Sequence, residues 1–177
     1  RRGSAPLTRD EALRLVRYLQ GPDGARGESP TGAEGAELDF QLGALFRRRG
    51  EFDRATQLHE RLEARGEPAL RERARFELAL DFLSAGLMDR AERLLHELTA
   101  SPTYRREALE RLVRLHERQG DWSNALSAWS QLPPADREAR RVAAAHYLCE
   151  LADQALLQGD PDRVDLLLRQ AATQRAA

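Results

Sequence analysis

The chain has 177 residues, 32% of which are charged, and a net charge of −1. This length suits one ordinary domain or a short array of repeats, and the balanced charge argues against nucleic acid or an anionic membrane surface as a partner. The one cysteine, Cys149, excludes an intramolecular disulfide and a metal site built from several cysteines. No apolar run approaches the ~18 residues of a transmembrane helix.

The N-terminal region, residues 1–36, differs from the rest of the chain. Residues 9–20 carry apolar side chains at helical spacing, which predicts a helix. The segment from Gly21 to Gly35 contains five glycines and two prolines, a composition that predicts a loop or a partly disordered segment. Residues 1–36 are therefore interpreted as an N-terminal helix and a linker, or as a degenerate first repeat.

Four six-residue segments that share one pattern, each beginning with glycine, recur along the remaining residues. A polar pair and a small aliphatic residue end each segment, which reads GEFDRA (50–55), GLMDRA (86–91), GDWSNA (120–125) and GDPDRV (159–164). Successive glycines are 36, 34 and 39 residues apart. A period near 34, with helical patterns on both sides of each glycine, is the signature of tetratricopeptide repeats. Residues 37–177 are thus predicted to form an all-α, right-handed solenoid of about four helix pairs.

The predicted helices alternate with these glycines. They span 37–49, 52–65, 68–85, 88–99, 103–119, 122–131, 136–158 and 161–173. Each glycine is expected in the left-handed conformation that closes the first helix of a pair. Polar residues near the start of each second helix are expected to cap it: Asp53, Asp89, Ser123, and Asp160 or Asp162.

Expected core positions repeat with the same period. In the first helices they are Leu42, Gly43 and Phe46; Leu78, Ala79 and Phe82; Leu112, Val113 and His116; and Leu151, Ala152 and Ala155. Each second helix has a small residue that allows close approach of its partner: Ala55, Ala91, Ala125 or Val164. Trp122 and Trp129 lie seven residues apart on one second helix and are expected to fill a core between repeats.

The sequence shows no constellation that predicts an enzyme. His59 is expected to be a half-buried packing residue. His146 and Cys149 stand one helical turn apart, but no third member or oxyanion-type glycine loop accompanies them, and Cys149 is expected in the core. No two histidines have i, i+4 spacing, and motifs for phosphate or metal binding are absent. The sequence therefore predicts a protein that is not an enzyme and that holds no cofactor or metal in this chain.

A partner-binding surface is expected on the first helices, since one stripe of each lines the concave face of such an array. Apolar side chains mixed with arginine suit an acidic amphipathic peptide or helix. Exchanging Arg47 and Arg48 for glutamate is expected to weaken binding and leave stability nearly unchanged. In an alternative interpretation the apolar members pack against neighbouring repeats. The predicted contact residues are Phe40, Arg47, Arg48, Phe76, Leu80, Leu83, Arg114 and Arg118.

Three stretches are more specific than the repeat pattern requires: LGALFRRRGEFDRA (42–55), AGLMDRAE (85–92) and AHYLCELA (145–152). They resemble the bacterial lipopolysaccharide assembly protein B family. Members of that family have an N-terminal inner-membrane helix, cytoplasmic repeats, and a C-terminal rubredoxin-like zinc module with two Cys-x-x-Cys knuckles. The resemblance implies that this chain is the cytoplasmic repeat region, with Arg1 and Arg2 just after the membrane helix, and that zinc belongs to the module of the full-length protein.

The resemblance also implies a function, a scaffold in lipopolysaccharide homeostasis at the cytoplasmic face of the inner membrane. Such a scaffold would bring the deacetylase that commits carbon to lipid A to the membrane-bound AAA+ metalloprotease that degrades it. Two other interpretations stay open. One is a repeat module of another bacterial assembly or secretion complex. The other is a homodimer formed through an apolar face of the last helix, made by Val164, Leu167, Leu168 and Ala171.

Overall fold

The computed structural model describes the backbone of residues 33–133 and 137–176. These ranges contain eight α-helices and no strand: α1 (Ala33–Arg48), α2 (Phe52–Arg65), α3 (Pro68–Ala85), α4 (Met88–Leu98), α5 (Arg105–Gln119), α6 (Trp122–Ser130), α7 (Arg137–Leu157) and α8 (Pro161–Ala176). The helix predicted over 9–20 lies outside the described residues. None of the helices described is long and apolar enough to cross a membrane.

All eight helices predicted from residue 37 onward are present, and most of their ends agree within two residues. The largest difference is at α1, which begins at Ala33 rather than at residue 37. Ala36 packs against a buried cluster that includes Phe40 and Leu62, so burial of this turn outweighs the weak helix propensity of Gly35. The boundary predicted between residues 36 and 37 falls inside a helix. The division into two regions itself stays a prediction.

The repeated glycines end the first helix of each pair, as predicted, with φ between 68° and 78°. This left-handed conformation is costly for a residue with a Cβ atom, which explains the choice of glycine. At Gly86 the N–H donates to the carbonyl of Leu83 at 3.4 Å, and the N–H of Leu87 donates to the carbonyl of Phe82 at 2.9 Å. These are the two bonds of a Schellman motif, which satisfies carbonyls at the end of a helix.

The side-chain caps differ from the prediction at α2, where no side chain caps the helix and Asp53 lies in the first turn, and at α6. Asp121, rather than Ser123, caps α6, because its carboxylate accepts from the N–H of Asn124 at 3.1 Å. Asp160 caps α8, as predicted, by accepting from the N–H of Arg163 at 3.0 Å. Both aspartates directly follow a repeat glycine and precede the first helical residue, which is the position from which a side chain reaches the free N–H groups.

The helices fall into two compact units, one ending at Ala91 and the other beginning at Glu92. In the first unit α1 packs on α2, α2 packs on α3, and α1 also contacts α3. Ala55 is fully buried, as predicted for a residue that lets two helices approach closely. The buried apolar clusters of this unit are formed by Leu42 with Leu58, and by Phe40 with Leu62 and Ala74.

In the second unit α5 packs on α6, α6 on α7, and α7 on α8. An apolar cluster joins the last two helices and consists of Leu148, Ala152, Ala155, Leu167 and Ala171. The prediction of an exposed apolar face on the last helix is therefore wrong for Leu167 and Ala171, which are buried. The small side chains of α7 let α8 approach and cover them. Val164 is half-buried, and Leu168 alone of the four is exposed.

Candidate functional site

Arg47, a predicted contact residue, belongs to an ion-pair network inside the first unit. Its guanidinium donates from Nη1 to Asp81 Oδ1 and from Nη2 to Glu77 Oε2, both at 2.7 Å. Nη1 also donates to the backbone carbonyl of Glu77 at 3.2 Å. Two carboxylates of α3 therefore already match the charge of this arginine. The network argues against the expectation that Arg47→Glu leaves stability unchanged, because the exchange would bring three carboxylates together.

Asp81, at the centre of this network, is fully buried. Its Oδ2 lies 2.6 Å from Nδ1 of His59, which is also fully buried rather than half-buried as predicted. A carboxylate only accepts, so Nδ1 is the donor. Gly43 makes room for the imidazole, since a Cβ atom at that position would lie 2.5 Å from the ring. Because solvent reaches neither His59 nor Asp81, the pair is suited to holding helices together rather than to acting on a substrate.

Phe40, another predicted contact residue, is 3% exposed. Its ring stacks on His59 with the centroids 5.8 Å apart, and the guanidinium carbon of Arg73 lies 3.9 Å from its centroid. Both terminal nitrogens of Arg73 donate to the carboxylate of Glu37, at 2.6 and 3.2 Å. These contacts cover the ring, so at Phe40 the structure favours the alternative interpretation, in which the side chain packs between repeats.

The other predicted contact residues are more accessible. Arg48 is exposed on α1, and Arg114 and Arg118 are exposed one turn apart on α5. Among the residues that the structure describes, these three arginines make no ion pair. Their role in partner binding stays a prediction. The apolar members are half-buried on α3 and are Phe76, Leu80 and Leu83.

In the second unit a polar bond between side chains joins α5 to α7. The hydroxyl of Tyr147 donates to Glu117 Oε1 at 2.6 Å. Burial and the adjacent carboxylate raise the pKa of Tyr147 above its ordinary range, so the phenol keeps its proton and stays a donor. The rings of Trp122 and Trp129 lie 6.5 and 6.2 Å from that of Tyr147. This agrees with the expectation that the two tryptophans pack between repeats.

Cys149 is exposed, so the prediction of a core cysteine is wrong. The buried face of α7 includes Leu148 and Ala152, and Cys149 is turned about 100° from Leu148 around the helix axis. His146 is exposed as well, and its Nδ1 lies 3.9 Å from Oε1 of Glu150. Although Cys149 is adjacent to the buried Leu148 in the sequence, it therefore lies outside the core.

A group of three ligand-type side chains lies at the start of the second unit. His116, expected in the core, is buried on α5 and meets Glu92 and His96 of α4. A cleft of about 60 Å³ lies beside the two histidines. The spacings between histidines did not predict this group, because the i, i+4 pair in it is formed by a carboxylate, Glu92, and a histidine, His96. Spacing between carboxylates and histidines was the signal that could have found the pair.

Comparison with known proteins agrees with the repeat pattern. Residues 38–72 match the Tetratricopeptide repeat family. Lipopolysaccharide assembly protein B of Escherichia coli (strain K12) is 36% identical over 138 residues, which are 77% of this chain and 36% of that protein. The protein of the same name from Haemophilus influenzae is 31% identical over 116 residues, 64% of this chain and 29% of that protein. The chain thus spans about a third of the length of these relatives.

A solved structure, the crystal structure of MamA, is similar with a TM-score of 0.51 over 94% of this chain and 88% of that one. Its sequence identity is 14%, so the likeness concerns the fold alone. It agrees with the eight described helices and confirms the predicted class, an all-α array of tetratricopeptide helix pairs. The identity to the two assembly proteins confirms the resemblance found in the sequence. Within the matched residues, the chain belongs to the lipopolysaccharide assembly protein B family.

Proposed function

We propose that this chain is the partner-binding repeat array of a non-catalytic adaptor in lipopolysaccharide homeostasis. The observation that supports this most is the 36% identity over 138 residues to a protein named for lipopolysaccharide assembly. Residues 38–72 match the tetratricopeptide repeat, and stacked repeats of this kind present extended surfaces to other proteins. Cys149 and His146, which stand one helical turn apart as a nucleophile and a base might, are both exposed on α7.

The proposed partners follow from the family resemblance. The adaptor binds the deacetylase of the lipid A pathway and brings it to a membrane-bound AAA+ protease at the cytoplasmic face of the inner membrane. Such an adaptor acts by raising the effective concentration of substrate near protease, which strengthens an encounter without any new chemistry. In a full-length member of the family, a membrane helix and a zinc module would complete the protein.

The predicted contact residues differ in how accessible they are to a partner protein. Phe40 and Arg47 are engaged in the core of the first unit, so they are poor candidates. Arg114 and Arg118 point to solvent one turn apart on α5, where two guanidinium groups can pair with carboxylates of an acidic partner. We propose these two arginines as the main charged contacts of the second unit, and Arg48 as that of the first.

Calorimetric titration of the chain with the purified lipid A deacetylase tests this proposal. We expect saturable binding that weakens with salt and falls at least about tenfold when Arg114 and Arg118 are both exchanged for glutamate. The matched control exchanges Arg163 and Arg169, two exposed arginines of α8, for glutamate and should bind as the parent does. Equal weakening in both double variants would show a non-specific charge effect, and absence of binding would refute the deacetylase as partner.

A second candidate, self-association, is favoured by exposed leucines in α7 and α8. Leu157 is 89% exposed and Leu156 is 64% exposed, and two further leucines of α8 are about half exposed. Contiguous exposed apolar side chains are typical of interaction surfaces. Size-exclusion chromatography with light scattering should then give the mass of a dimer, and exchange of Leu157 for serine should give a monomer. A monomer of the parent chain at high concentration would rule this candidate out.

A further inference from the structure

The group formed by Glu92, His96 and His116 has the side chains and the spacing of a metal site. Glu92 and His96 lie four residues apart on α4, so their side chains share one face of the helix, and α5 supplies His116. Oε1 of Glu92 is 3.7 Å from Nε2 of His96 and 3.9 Å from Nε2 of His116. One ligand atom from each of the three lies within 4.8 Å of the others.

These separations are too long for hydrogen bonds and slightly longer than those around a shared ion. With bonds of about 2.0–2.2 Å, two ligand atoms of a tetrahedral zinc ion lie roughly 3.4 Å apart. The side chain of His96 is 58% exposed, so it can turn without disturbing the core. A small rotation of His96 and Glu92 toward His116 is enough to close the site.

The environment of His116 points to a ligand in its own right. The residue is 2% exposed, and its Nδ1 has no hydrogen-bond partner among the residues described. Nε2 of the same ring lies 3.9 Å from Glu92 Oε1, too far for a hydrogen bond, so the buried imidazole has no hydrogen-bond partner among the described residues. A cation between Nε2 and the carboxylate would bond to both and give the imidazole one partner.

We propose that Glu92, His96 and His116 bind one divalent transition-metal ion of the zinc type. Two imidazoles and a carboxylate suit zinc or cobalt, whereas magnesium and calcium prefer oxygen ligands alone. Three protein ligands leave a fourth position for water, and the adjacent cleft has polar lining from Asn124 and Gln131. The site contains no cysteine and lies within the repeats, so it differs from the zinc module that the family resemblance implies.

Binding at this site would link α4 to α5, the second helix of one repeat to the first helix of the next. The ion then acts as a cross-link, since a ligand that binds only the folded chain stabilises it. The chain offers an internal comparison in His146 and Glu150, an i, i+4 pair of the same unit whose separation is 3.9 Å, against 3.7 Å for His96 and Glu92. Among the described residues, no third ligand-type side chain completes a group with this pair.

Titration of the chain with Zn²⁺, followed by calorimetry, and with Co²⁺, followed by visible absorption, tests the proposal. Every protein carries Cys149→Ser, because an exposed thiol binds zinc by itself. We expect one saturable site per chain and the absorption of cobalt with nitrogen and oxygen ligands. His96→Ala and Glu92→Gln should each weaken binding at least about tenfold, and His146→Ala should bind as the parent does.

Unfolding followed by circular dichroism gives an independent readout. Zinc should raise the melting temperature of the parent and of His146→Ala, and at the same zinc concentration should raise that of His96→Ala by less. His96 is exposed, so its variant is expected to fold, and its spectrum without metal checks this. Absence of saturable zinc binding would overturn the proposal, and so would a loss of affinity in His146→Ala that equals the loss in His96→Ala.

Discussion

The two units use the same repeat position to join neighbouring first helices, but with different chemistry. In the first unit, the residue three before the repeat glycine is Arg47, which pairs with Asp81 of the next first helix at 2.7 Å. In the second unit the corresponding residue is Glu117, which accepts from Tyr147 of the next first helix at 2.6 Å. In these two repeats the position is therefore a link between first helices, whichever charge it carries, and the sign of its charge does not identify a partner-binding surface.

The two links differ in what surrounds them. Asp81 and His59 are fully buried. Removing one member of the first link therefore leaves a buried charged or polar group without its partner. Glu117 is half-buried, and the link that it makes contains one charge and a neutral phenol. We therefore expect the first unit to tolerate a change in its link much less well than the second.

The largest effect is expected for Asp81→Ala. The exchange removes one of the acceptors of Arg47, which keeps its bonds to Glu77, and leaves the buried Nδ1–H of His59 without its acceptor. Breaking a buried pair in this way typically costs about 3–5 kcal/mol. The free energy of unfolding from denaturant titration measures this. Asp153→Ala, at an exposed aspartate of α7, is the control and should change stability by less than about 0.5 kcal/mol. Similar values for the two variants would show that the buried network contributes little.

Gly43→Ala should destabilise the first unit by about 2 kcal/mol. The added Cβ atom would meet two atoms of the His59 ring at 2.5 Å, and the ring is held by Asp81 and cannot move away. The effect should largely disappear in a His59→Ala background, because the clash is with that side chain alone. A double-mutant cycle measures the coupling, and additive effects would contradict the assigned contact.

Tyr147→Phe should cost about 1.5 kcal/mol, since it removes one hydrogen bond to a charged acceptor and keeps the ring. The raised pKa of Tyr147 also predicts a pH dependence. Since the folded pKa lies above the unfolded value of about 10, the added stability is fully present below pH 10 and is lost as pH rises further. Unfolding of the parent and of Tyr147→Phe should therefore converge above pH 10. A constant difference up to pH 11 would contradict this.

The sequence was sufficient to predict the helices of the fold. It was not sufficient to predict the polar contacts that link neighbouring first helices. The glycine period and the apolar spacing depend on backbone geometry, so they predicted the helices and buried positions such as Ala55 and Leu78. Asp81 stands where the other first helices carry Leu45, Leu115 and Gln154. A charged residue at that position is stable only beside Arg47 and His59, whose distances in sequence are 34 and 22 residues. Such pairing depends on how the repeats stack, which periodicity does not reveal.

The candidate metal site is likewise predictable from the sequence only in part. The i, i+4 spacing of Glu92 and His96 is readable from the sequence, and a search for mixed carboxylate and histidine pairs would have found it. Glu150 and His146 have the same spacing, so the pattern alone does not separate the two pairs. What distinguishes them is His116, 20 residues beyond His96 along the chain, which the fold brings within reach of the first pair.

The smallest expected effect concerns the feature that the two units share. Gly86→Ala in the first unit and Gly120→Ala in the second should each cost about 1 kcal/mol. Both glycines have φ near 70–80°, and no atom lies within 4 Å of a Cβ built at either position, so the cost comes from the backbone alone. Asparagine tolerates the left-handed conformation better than alanine, so Gly86→Asn should recover part of the loss. Denaturant titrations of the three variants decide whether this turn, unlike the polar links, contributes equally to both units.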